Sequence, residues 1–167
     1  MSTIEENKAI MRSYLEGFWS GKDPSIADRI VAQDAVFHDL IEQKMPPGLN
    51  GVKQNYRSFR AAFPDFKFDI QDIVAEGDKV VVRWDAGGTH RGTFQGIPAT
   101  NKYGGVSGIS IVRIRDGKII EGWQELDSLG LMQGLGVLPS GPPPRFLVLL
   151  MTLRTKLSGL RQKKQTA

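Results

Sequence analysis

The chain has 167 residues, two-fifths of them apolar, enough for one domain with its own core and too few to expect two. It has no cysteine and only two histidines, which excludes a disulfide framework and thiol chemistry and makes a zinc site improbable. The formal charge of +4 is unevenly placed: six of the 22 basic residues and none of the 18 acids lie beyond Gly141, leaving 16 bases against 18 acids in the first 140 residues, so the folded body is not a nucleic-acid-seeking domain.

The opening MSTIEENKAI carries early acids and no basic region leading into an apolar block, unlike a signal peptide, so a cytoplasmic location is expected. Thr3 and Glu6 stand in capping-box spacing, and Ile10, Met11, Tyr14, Leu15 and Phe18 follow at helical intervals until Gly21, which predicts a first amphipathic helix. Asp23-Pro24 opens a second, short helix through Ile26, Ile30 and Val31, and Ala35 to Asp39 reads as a short strand. After the break at Pro46-Pro47-Gly48, Asn50 is placed to cap a third helix. That helix carries Val52, Tyr56, Phe59, Ala62 and Phe63 and is ended by Pro64.

Strands are then expected at about Lys67 to Glu76, Lys79 to His90, Gly104 to Arg115 and Lys118 to Asp127, with Gly77-Asp78 and Asp116-Gly117 as turns. Asp127 is placed to cap a short closing helix through Leu129 and Leu131. Helices first, then a run of long antiparallel strands, predicts an α+β fold with the helices on one face of a bent sheet. Glycines in or beside the strands, among them Gly87, Gly88, Gly104, Gly108 and Gly122, fit a bulge, a sharp bend or the close approach of a ligand. Such a fold leaves a pocket on the concave face, suited to an apolar small molecule.

Beyond the domain, expected over residues 1–136, prolines and glycines mark a stiff linker over 137–145. Phe146, Leu149, Leu150, Leu153, Leu157 and Leu160 then form an apolar helical stripe flanked by the six basic residues, a basic amphipathic tail over 146–167. The run FLVLLM is too short to span a bilayer. The tail reads as a peripheral membrane or partner contact through residues 145–164, as a frayed basic tail, or as a helix packing back on its own dimer.

Four segments in order, FWSG at 18–21, DAVFHD at 34–39, GTHRGTFQGIPATNK at 88–102 and RDGKIIEGWQELDSLGLMQGLG at 115–136, resemble the SnoaL-like polyketide (ester) cyclases of the nuclear transport factor 2-like superfamily. The resemblance implies a cone-shaped curved sheet with N-terminal helices enclosing an apolar pocket, and a homodimer formed through the sheet. It also implies cofactor-free and metal-free acid/base chemistry, an intramolecular aldol cyclisation or an isomerisation of a polyketide-like or terpenoid-like carbonyl compound. The same fold also hosts catalytically silent binding modules. At the position of the cyclases' last-strand aspartate this chain has Gln124, and at that of a neighbouring-strand histidine it has Ser110 or, two residues along, Val112.

Candidate site residues follow from that frame. His38 reads as an acid/base oriented by Asp39 or as a strand-end histidine bonding backbone. His90 matches a histidine position of the cyclases and reads as a substrate-orienting or proton-donating group, or as an exposed hairpin residue. Asp85, beside Ala86-Gly87-Gly88, reads as a replacement base re-aimed at a bulge or as a surface carboxylate. Alternation puts Gln124 on one strand face with Ile120, Gly122 and Leu126. The cyclase register implies that Gln124 points inward, where it would hydrogen-bond a carbonyl oxygen without exchanging its own proton; it otherwise reads as an amide pairing with a neighbouring strand. Ser110, Trp84, Tyr14 and Phe18 complete the expected binding set, Trp84 and the two helix aromatics doubling as core.

Overall fold

The computed structural model describes residues 3–39 and 46–141. In chain order it contains α1 (Ile4–Arg12), a π-helix (Ser13–Trp19), α2 (Ile26–Ile30), β1 (Val31–Asp39), α3 (Gly48–Ala62), β2 (Lys67–Glu76), β3 (Lys79–Thr89), β4 (Tyr103–Arg115), β5 (Lys118–Leu126) and α4 (Ser128–Gly134). The five strands form one curved sheet in the order β1-β5-β4-β3-β2. The expected tail over 146–167 and the linker beyond residue 141 lie outside the described residues. No helix among the described residues is long and apolar enough to cross a membrane.

The caps form where their chemistry places them. Thr3 Oγ1 accepts from the Glu6 amide at 3.2 Å while Glu6 Oε2 accepts from the Thr3 amide at 2.7 Å, and Asp127 accepts from the Gly130 amide at 2.8 Å to start α4. Asn50 does not cap α3; the helix begins earlier, at Gly48 with Pro47 as its flanking residue, because the left-handed φ of +73° at Gly48 makes the turn into the helix that a side chain would resist. The first helix is also not uniform. From Ser13 it widens to i→i−5 bonding, with the Ser20 amide on Leu15 O at 3.0 Å and the Lys22 amide on Gly17 O at 2.9 Å.

β1 is longer than expected and enters the sheet parallel to β5, with an irregularity between Val31 and Val36. The other neighbours are antiparallel. In the β4–β5 hairpin Arg115 faces Lys118, but a bulge between Ile114 and Arg113 shifts the register by one residue, so that Arg113 faces Glu121 and Ser110 faces Gln124. A one-residue shift moves side chains relative to their opposite neighbours across the whole strand.

On the inner face Val80, Val82, Trp84, Val112, Ile114 and Ile119 pack beneath Met11, Tyr14, Leu15 and Phe18. A second cluster, Phe63, Phe66, Phe94, Leu131 and Leu135, closes the other end beneath α4. Two strand glycines serve this packing. A Cβ at Gly122 would meet the Phe37 ring at 2.8 Å, and one at Gly108 would meet the Trp84 ring and Glu125 O, the latter at 2.7 Å. At both positions the group that approaches the bare backbone is an aromatic ring of the neighbouring strand.

Candidate functional site

Between the helices and the concave face lies a cavity of about 120 Å³. Its helical wall is built by α3, whose Val52, Asn55 and Phe59 recur at helical spacing along one side and continue into Phe63 just past its end, and by Tyr14 and Trp19 of the π-helix. The sheet wall carries Phe68, Trp84, Val106, Ser110, Val112, Gly122, Gln124 and Leu126. Cavities of about 150 Å³ accommodate a benzene ring, and the partly exposed His38 and Trp123 stand at this cavity's rim.

Tyr14 links the two walls. Its ring stacks on Phe37 at 6.2 Å and on Phe18 at 5.9 Å, and Phe18 stacks on Tyr56 at 4.5 Å. Phe18 is buried behind this wall and does not line the cavity.

Three polar side chains on adjacent strands form a directed chain across the sheet wall. The Trp84 Nε1–H donates to Ser110 Oγ at 2.9 Å, and Ser110 Oγ–H donates to Gln124 Oε1 at 3.2 Å. An indole N–H can only donate, so Ser110 Oγ accepts from Trp84 and keeps its one hydrogen for Gln124 Oε1. With its carbonyl oxygen accepting from Ser110, Gln124 lines the cavity with an amide N–H₂ that has no hydrogen-bond partner among the described residues. Trp84 and Ser110 are both buried, and an unmade bond at either would cost about 1–3 kcal/mol.

The histidines and Asp85 have other surroundings. His38 sits at the rim, nearly half exposed, stacked on Trp123 at 5.1 Å with its Nε2 3.0 Å from Glu121 Oε1. The carboxylate that holds His38 is thus Glu121. The His38 hydrogen bond keeps Glu121's carboxyl below its ordinary value, opposed by desolvation and supported by Arg113. Arg113 in turn bonds Asp78 through Nη2 at 2.8 Å, which lowers the Asp78 carboxyl.

His90 is fully buried rather than an exposed hairpin residue. Its Nδ1 accepts from the Thr100 amide at 3.3 Å, and its ring stacks on Phe63 at 5.0 Å. That acceptor role puts the ring proton on Nε2, which is buried and has no partner among the described residues. His90 does not line the cavity; it backs Phe63 and Phe94, which do.

Asp85 is exposed on the outer face, opposite Asp69 and Ser107. No bulge re-aims it: pairing with β4 is continuous, and the irregularity in β2 lies between Ile70 and Asp72. Among the described residues no group of three or more acidic or histidine side chains is arranged to hold a metal ion.

Among the lining residues that the sequence did not single out, Asn55 and Trp19 are the instructive ones. Asn55 stands three residues after Val52 and four before Phe59, an amide inside an apolar stripe, and that spacing was its signal. Trp19 lies five residues after Tyr14, off its face at α-helical period. The i→i−5 turn brings the two rings to one side, 6.1 Å apart and perpendicular.

A family model described as SnoaL-like polyketide cyclase matches residues 9–135. Among solved structures, TsrD from Streptomyces laurentii is 28% identical with a TM-score of 0.75, covering 83% of this chain and 100% of its own. IdmH from Streptomyces antibioticus, which carries a provisional polyketide cyclase assignment, is 30% identical with a TM-score of 0.67 over 78% of this chain and 98% of its own. AclR from Streptomyces galilaeus, provisionally a hydroxylase, is 26% identical with a TM-score of 0.71 over 97% of this chain and 98% of its own. No curated protein sequence matches the chain. With the family model spanning most of its length, the curved sheet and the helix-covered cavity, this chain belongs to the SnoaL-like polyketide cyclase family.

Proposed function

We propose that the chain binds an uncharged, apolar carbonyl compound of polyketide or terpenoid type and promotes enolate chemistry on it without a cofactor. The observation that carries this reading is the Trp84–Ser110–Gln124 chain, which engages the Gln124 carbonyl oxygen and leaves its amide hydrogens without a partner among the described residues at a largely apolar cavity. A preorganised donor in a site of low dielectric stabilises negative charge on a carbonyl oxygen as the enolate forms. His38 supplies the proton acceptor. Its Nε2–H is held by Glu121, which leaves Nδ1 to take the proton from the carbon beside the carbonyl. In a cyclisation that carbon then bonds to a second carbonyl carbon of the same molecule, and the new alkoxide recovers the proton; in an isomerisation the proton returns to a different carbon.

A second reading, a silent binding module of the same fold, is favoured by one specific observation: no Asp or Glu lines the cavity among the described residues. One experiment separates the two. With 1-tetralone in D₂O, the enzyme reading expects the protein to accelerate exchange of the α-hydrogens, followed by NMR, and expects His38→Gln to abolish that acceleration with ketone binding retained. Binding of the ketone without accelerated exchange would establish the silent module instead.

Self-association through the outer face of the sheet is part of the same proposal. Val36, Ile109 and Trp123 are exposed there on neighbouring strands, an apolar surface of the kind buried between subunits. Sedimentation velocity of the wild-type chain and of Ile109→Glu tests it: a dimer is expected for the first and a monomer for the second, and a monomeric wild type would contradict it.

A further inference from the structure

The cavity holds a second polar side chain that the enolate reading leaves without a role. Asn55 projects from α3, the helical wall, whereas Gln124 lies on the strand wall. It makes no side-chain hydrogen bond among the described residues, and its neighbours along the helix, Val52, Phe59 and Phe63, are apolar and also line the cavity. An amide in such a stripe gives up water on the ligand's arrival and loses affinity unless the ligand replaces those bonds. Its oxygen accepts and its nitrogen donates, so a hydroxyl can satisfy either end and a carbonyl the donor end.

We propose that Asn55 is a specificity-determining residue that reads a second oxygen function of the ligand, on the edge away from the carbonyl held by Gln124. This rests on the carbonyl-binding reading above and deepens it: the preferred ligand is a dioxygenated ring system, one oxygen facing β5 and the other facing α3. Two amides on opposite walls fix the ligand's orientation as well as its affinity, because a ring turned end for end leaves one amide unpaired. The absence of any lining Lys, Arg, Asp or Glu among the described residues keeps both contacts neutral. A hydroxyl or ketone therefore suits them better than an ionised group.

Two probes that differ by one hydroxyl test this in the full chain: 1-tetralone and 6-hydroxy-1-tetralone, titrated at about pH 6 so that the phenol stays protonated, with tryptophan fluorescence as readout. The wild-type protein is expected to prefer the hydroxylated ketone by roughly three- to tenfold, the worth of one hydrogen bond. Asn55→Leu, with the same branching and number of side-chain heavy atoms, is expected to erase the preference while binding 1-tetralone at least as well as wild type, which also shows that the variant is folded. Gln124→Leu is expected to weaken both ketones alike and to keep the preference. An unaltered preference in Asn55→Leu would overturn the role given to Asn55 and leave the carbonyl site standing. Failure of Gln124→Leu to weaken 1-tetralone, or of the wild type to bind it, would overturn the carbonyl site itself.

Discussion

The two faces of the sheet are made by the same strands and differ by a single step along them. Facing the cavity, positions 84, 110 and 124 carry an indole, a hydroxyl and an amide joined in one neutral chain. An odd number of residues away on those strands, and so on the opposite face, positions 83, 113 and 121 carry ions: Arg83 pairs with Asp72 at 2.6 Å, and Arg113 joins Asp78 to Glu121, which holds His38. Exposed ion pairs of this kind contribute about 0–1 kcal/mol each, whereas a broken bond to a buried donor costs about 1–3 kcal/mol. The outer ion pairs therefore contribute little to stability, His38 and Glu121 keeping the proton-transfer role proposed above, and the inner chain sets stability and the contact to the ligand carbonyl.

The largest test of that contrast is Gly108→Val. The added side chain would collide with the Trp84 ring and with Glu125 O, a backbone atom that cannot swing away, so a loss of about 3 kcal/mol or more is expected in urea denaturation. An equally stable variant would mean that Trp84 is not fixed against β4.

Ser110→Ala comes next. It strips the acceptor from the buried Trp84 N–H and is expected to cost about 1–3 kcal/mol. It also frees the Gln124 amide to turn over, which is expected to weaken 1-tetralone binding roughly three- to tenfold. Pairing it with Trp84→Phe sharpens the point, because the two losses should be less than additive if the residues share one bond.

On the outer face, Arg83→Met is expected to stay within about 1 kcal/mol of wild type and to leave ketone binding unchanged. A larger loss would erase the distinction between the faces. The smallest effect is on acid stability. Asp65, bonded by the Thr89 hydroxyl and amide, and Asp78 and Glu121, bonded by Arg113 and His38, all have carboxyls lowered by folding. Their contribution is fully present above the ordinary carboxylate range of about 4 and is lost as pH falls through the lower folded values. Tm is therefore expected to decline below about pH 4, with a shallower decline in Asp65→Asn, as checked by calorimetry across pH.

Much of the sheet was legible because its signals are local. Asp116-Gly117 and Gly77-Asp78 set the hairpins, and the four long strands begin and end within a residue of their expected bounds. Period-two alternation put Gln124 on one face with Gly122 and Leu126, and the resemblance implied that this face is the inner one. The partner that orients Gln124 was not legible in this way. Counting back from the Arg115–Lys118 pair without a bulge would set Ser110 opposite Trp123; only the slip between Ile114 and Arg113 puts it opposite Gln124, and no turn residue announces that slip.

Trp19 was hidden for a related reason, since an apolar pattern at a period of 3.6 does not reveal where a helix widens to i→i−5 bonding. His38 was recognisable as a titratable group, but its partner Glu121 is 83 residues away and is brought beside it by the parallel pairing of β1 with β5. Local sequence carries no trace of that pairing.

The central claim is that the inner chain presents the Gln124 amide hydrogens to a bound carbonyl oxygen, and the carbonyl stretch of the bound ligand measures it directly. In difference infrared spectra of ¹³C=O-labelled 1-tetralone, the wild-type complex is expected to show a band shifted to lower frequency than the ketone in an apolar solvent. Gln124→Leu is expected to return the band to the apolar-solvent position. The same frequency in both complexes would contradict the account.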